Sequence, residues 1–141
     1  MEISEVRRRV SETIERAKRA AAVRRVRADE ASREFVVFLD QIAVPLFRQV
    51  ANALKVQGYQ FEVFTPGGSV RLMSERSADD FIEITLDTTG EQPSVMGRSR
   101  RGRGRRVLES ERPLADGGGR ELTEHQVLAF LLKELEPLVE R

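Results

Sequence analysis

Helical periodicity at both ends of the chain and an alternating centre predict an α+β fold: an antiparallel β-meander of about four to five strands, helices packed on one face of it, and a long N-terminal helix in front. Three observations carry that expectation. Apolar residues recur every three or four positions from Ile3 to Ala21 and again from Phe35 to Leu54, with Val23 and Val26 off the first stripe, and they alternate between Tyr59 and Leu86. The strand candidates are also joined by connections too short for parallel crossovers.

The first helix is predicted from the stripe Ile3, Val6, Val10, Ile14, Ala17 and Ala21. Glu5–Arg9, Glu12–Arg16 and Glu15–Arg19 support it as i,i+4 pairs with the acid toward the N-terminus. The side chains of the stripe are small, so such a helix requires a surface to pack on. A second helix is expected to start at Asp29 or Ser32, with Phe35, Leu39, Ile42, Leu46, Val50 and Ala53 on its buried face. Pro45 is expected to kink or break it, and Gly58 to stop it. The domain boundaries read from this pattern are 1–28 for a basic amphipathic helix and 29–141 for the α+β domain.

The strand segments follow. Tyr59, Phe61 and Val63 alternate with Gln60 and Glu62, and TPGG turns the chain toward Val70 and Leu72. Ile82, Ile84 and Leu86 form the next strand, and residues 94–100 and 105–114 complete the meander. ADGGGR at 115–120 reads as a flexible connector. The C-terminal helix opens on a capping box, Thr123 with Gln126, inside a staple of Leu122 and Val127. Val127, Leu128, Leu131, Leu132 and Leu135 are expected to bury one face, and Pro137 to end or bend the helix.

Composition narrows the chemistry. The chain has no cysteine, so disulfides and thiolate metal sites are excluded. Its one histidine, His125, falls in the first turn of a helix and off the apolar face, which leaves no nucleophile–base pair of the usual kinds. Asp79–Asp80 reads as a solvated turn rather than a metal site. TPGGSV lies between strands and lacks the Lys-Ser/Thr of a phosphate loop. The expectation is a protein that is not an enzyme and needs no cofactor or metal. MEISEVRRRV lacks the apolar core of a signal peptide, and no apolar run approaches the length of a membrane span. A cytoplasmic protein with no membrane attachment is therefore expected.

Net charge is only +1, but it is unevenly placed. Residues 35–97 carry four Lys/Arg against eight Asp/Glu, and residues 107–141 again four against eight. The positive charge sits in residues 1–34, with ten against seven, and in 98–106, with six against none. The stretch GRSRRGRGRR, residues 97–106, is predicted to be the arm of a hairpin with glycines in its turn. Its six guanidiniums, on Arg98, Arg100, Arg101, Arg103, Arg105 and Arg106, suit bidentate contacts to phosphate. Nucleic acid, RNA included, or another polyanion is the expected partner. No aromatic side chain interleaves the arginines, so recognition should be weakly selective for sequence. A rival reading is a protein-interaction or assembly module. There the N-terminal helix mediates homodimerisation or partner binding, and the arm contacts an acidic protein. The remaining alternative for the arm is a solvated, like-charged loop.

Overall fold

A computed structural model describes residues 1–140. Helix α1 (Ile3–Phe38) passes through a five-residue π-turn (Leu39–Ala43) into α2 (Val44–Val56). Strands β1 (Phe61–Phe64), β2 (Val70–Ser74), β3 (Phe81–Asp87), β4 (Ser94–Arg103) and β5 (Arg106–Asp116) follow, then α3 (Glu124–Val139). The strands lie in sequence order in one antiparallel sheet, so the α+β meander predicted from the sequence is the observed fold.

The two helices expected at the N-terminus are one. α1 runs without a break through residues 28 and 29, and the only irregularity is the π-turn. Its position explains how Pro45 is tolerated. A proline in an α-helix clashes with the carbonyl one turn earlier and donates no hydrogen bond to it. Here the preceding turn is wide, with the Val44 N–H bonded to the Leu39 carbonyl five residues back, and Pro45 falls in the first turn of α2. The helix passes the proline instead of breaking at it.

Alternation along the strands puts Val70, Leu72, Ile82, Ile84 and Val95 on one face of the sheet, all buried. The helices cover that face. Phe35 and Phe38 of α1, Phe47, Val50 and Leu54 of α2, and Val127, Phe130 and Leu131 of α3 form a single core with those strand residues. The capping box on α3 is formed as the sequence predicts, with Thr123 Oγ1 accepting from the Gln126 N–H and Gln126 Oε1 accepting from the Thr123 N–H. The buried face of α3 is rotated from the expected one. Phe130 is buried against Gly97, where an added Cβ would come within 2.6 Å of the ring, while Leu132 is about half exposed.

The loop after β5 also departs from expectation. Gly118 and Gly119 are buried against α1, and the Gly118 N–H donates to Glu34 Oε2 at 3.3 Å. A Cβ on Gly118 would lie 2.2 Å from the Ala31 carbonyl oxygen and 2.6 Å from Glu34 Cβ. ADGGGR is therefore a close-packed junction rather than a flexible connector. Gly118→Ala is expected to destabilise the protein by about 1–3 kcal/mol, read as a shift in the urea midpoint, because either the loop or α1 must move to admit the methyl group.

The first half of α1 touches none of this. Ile3 is 71% exposed, Val10 52% and Ile14 47%, so the apolar stripe of residues 3–21 lies largely in solvent. Of the three Glu-to-Arg pairs expected along it, Glu5–Arg9 closes at 3.5 Å, and Arg8–Glu12 forms at 3.9 Å in the reverse orientation. The helix meets the rim of the body at Arg24, which pairs with Glu91 of the β3–β4 turn at 3.9 Å.

Candidate nucleic-acid interface

The arm exists as a hairpin. β4 and β5 pair from Ser94–Asp116 to Arg103–Arg106, closing on the two-residue loop Gly104-Arg105. Gly104 has φ +64°, and among the described residues only glycines have a positive φ, which matches a tight hairpin turn with glycine in its first position. β3 begins at Phe81, opposite Arg100. Residues 101–108 therefore project past the neighbouring strand by about 10 Å. Near the other end, Leu114 is inserted as a bulge between the Val95–Ala115 and Met96–Pro113 pairs, and Pro113 lies on an edge strand, where its missing N–H is tolerated.

The base of the arm is anchored. Asp80 is buried, and its Oδ1 accepts the Gly102 N–H at 2.9 Å. The Asp79–Asp80 pair read as a solvated turn thus divides: Asp79 is exposed and Asp80 holds the hairpin.

Strand alternation splits the six candidate arginines into two groups. Arg98 and Arg100 point to the outer face, away from the helices, and both are engaged there. Glu83, buried at the centre of that face, accepts from Arg71 Nε at 2.6 Å and lies 3.7 Å from Arg98 Nη2. Arg71 and Arg98 also cover the ring of Phe81, at 4.1 and 5.3 Å from its centroid. Arg100 Nε sits 3.3 Å from Glu109 Oε1 across the β4–β5 pair, an ion pair without hydrogen-bond alignment. Together these side chains close the outer face over Phe81, which is only 2% exposed. Their role is structural, and the chain of Arg71, Phe81, Glu83 and Arg98 was not read from the sequence. The available signal was Glu83 in the middle of FIEITLD, an acid in a strand otherwise destined for the core.

Arg101, Arg103, Arg105 and Arg106 form the second group. They occupy the projecting part of the hairpin, and none has an ion pair among the described residues. Arg101 and Arg103 line an open cleft of about 460 Å³ between the arm and the end of α3, where Pro137 and Glu140 form the other wall. On the helix-facing side, Ser99 and Arg112 are both held by Glu134, at 2.8 and 4.0 Å.

The rest of the surface offers little chemistry. His125 is exposed at the start of α3. No group of three or more His, Asp or Glu is placed to hold a metal ion among the described residues. Among the described residues two carboxyls titrate away from the ordinary range, Glu75 in the β2–β3 turn and Asp87 at the end of β3. Glu75 is raised, chiefly by a hydrogen bond shared with Glu62, then by desolvation and the charge of Glu62, with Lys55 opposing. Asp87 is lowered by hydrogen bonds from the Thr89 hydroxyl and N–H at 2.6 and 2.9 Å. No helix among the described residues is long and apolar enough to cross a membrane. No protein-family model matches the chain, no curated protein matches its sequence and no solved structure matches its fold.

Proposed function

We propose that this protein is a non-enzymatic nucleic-acid-binding domain that grips the phosphate backbone with Arg101, Arg103, Arg105 and Arg106. The support is a single observation: four guanidiniums with no carboxylate partner among the described residues are concentrated on a hairpin whose base is anchored by Asp80 and Gly102. An arm of this kind holds its charges close together before any ligand arrives, and the repulsion among them is relieved when phosphates replace diffuse counterions. Guanidinium donors match phosphate oxygens two at a time. Bases are not read by such contacts, so DNA and RNA of many sequences are bound.

Titration of a labelled oligonucleotide over a range of salt concentrations tests the reading. With four phosphate contacts rather than the six counted from the sequence, log affinity against log salt should fall with a slope of about −3 on single strands and about −4 on duplex. No binding at low ionic strength to single-stranded or duplex DNA or RNA rules it out, and an acidic protein then becomes the partner to seek for the arm.

A further inference from the structure

The register of the β4–β5 pair sorts the projecting residues by face. Arg101 stands opposite Leu108 and Arg103 opposite Arg106, on the same side as Gly97 and Ser99, which meet Phe130 and Glu134 of α3. Gly102 and Val107 take the outer side. Three of the four tip arginines therefore share the side on which α3 lies, and Arg105 sits in the turn. Leu108 is on that side too, 38% exposed although apolar. Arg101 and Pro137 line both the cleft of about 460 Å³ and an adjoining recess of about 220 Å³ nearer the base of the arm, which Ser99, Leu108, Ser110 and Leu138 also line. The larger space alone falls within the roughly 300–1,000 Å³ of small-ligand sites.

The two walls differ in charge. The arm contributes Arg101 and Arg103, and the α3 side contributes Glu134 and Glu140. A phosphate drawn between the walls would meet the carboxylates as well as the arginines, whereas at the tip it meets arginines alone. Resting on the phosphate-binding reading of the same arm, we infer that the cleft receives an unpaired nucleobase, which makes single-stranded nucleic acid the ligand class this site prefers. The base is the neutral part of the polymer, so Glu134 and Glu140 do not repel it. Leu108, Pro137 and Leu138 offer apolar contact to its faces, and the planar guanidinium of Arg101 is a surface on which unpaired bases stack. A base inside a duplex is already stacked on both faces, so a duplex is held by its phosphates without gaining the cleft. Every base has a π-face, so the contact favours unpaired bases without reading their sequence.

Two labelled strands test it on the full-length protein by fluorescence anisotropy: an oligothymidylate of about twelve nucleotides, and a strand of the same length built from abasic tetrahydrofuran units. Their phosphates are equal in number, so both should show the salt slope of about −3. The base-bearing strand should nevertheless bind at least about tenfold tighter. Leu108→Ser, which changes no charge, should cut that advantage to less than about threefold and leave the affinity and slope of the abasic strand unchanged. Oligouridylate should bind within about threefold of oligothymidylate, because the cleft takes the base and not the sugar. Equal affinity for the two strands overturns the inference and leaves the phosphate reading standing, while no binding of either removes both. An advantage that persists in Leu108→Ser means that the base is held elsewhere, and a larger difference between the DNA and RNA strands means that the sugar is recognised; either result overturns the assignment of the cleft. The comparison of the two strands needs only the wild-type protein, so it decides the matter even if Leu108→Ser fails to fold.

Discussion

Leu131→Asp should lower stability by about 3–5 kcal/mol, while Leu132→Asp, one residue on, should change it by less than about 0.5 kcal/mol. Leu131 is fully buried beneath α3 and belongs to the core shared with β3, β4 and the other helices. A carboxylate among these apolar side chains must be buried charged, be protonated, or force α3 off the sheet. Leu132 is 52% exposed, and its replacement puts a charge in water. Thermal unfolding followed by circular dichroism should place the first variant roughly 10 °C or more below the second. Equal midpoints would mean that α3 does not pack with the observed rotation.

That contrast marks where sequence reasoning ended. Thr123, Gln126 and Leu122 located the start of α3 to the residue, because a cap is local chemistry between neighbours. The facing of the helix is decided by what it meets. Phe130 is drawn inward because Gly97 leaves room for a ring on β4, and Gly97 is adjacent to it only after the sheet has formed. The meander was legible for the opposite reason: alternation and short turns are properties of consecutive residues. Pro45 was misleading, since a π-turn two to six residues earlier in the chain removes the clash that would make it a break. The three glycines at 117–119 read as a loose linker, although one serves a close approach to Ala31 and two have positive φ.

The arginine block shows the same limit from the functional side. As a string it is one run of like charge. As a strand it has two faces, and the face on which Arg98 and Arg100 lie holds Glu83 and Glu109, which stand outside the run, one on the neighbouring strand fifteen residues before Arg98 and the other three residues after Arg106. Pairing partners brought together by sheet register cannot be seen in the run itself. What the sequence did carry is the excess: six arginines with no acid among them exceed what the outer face neutralises, and the surplus is at the tip.

Replacing Arg101, Arg103, Arg105 and Arg106 together with Ser should therefore remove nearly all nucleic-acid binding and leave thermal stability within about 2 °C of the wild type. These side chains make no ion pair among the described residues, so the fold loses no such partner with them. The salt slope should collapse from about −4 on duplex toward zero. Replacing Arg98 and Arg100 with Ser should do the converse. The slope should hold, while stability falls by about 1–3 kcal/mol, because Glu83 keeps only Arg71 as a cationic partner and Phe81 loses part of its cover. The two variants separate charge that serves the fold from charge that faces a ligand. If the tip variant binds as well as the wild type, the arm is not the site; if the Arg98 and Arg100 variant loses the slope instead, the outer face of the sheet carries the phosphate contacts and the division made by strand alternation is wrong.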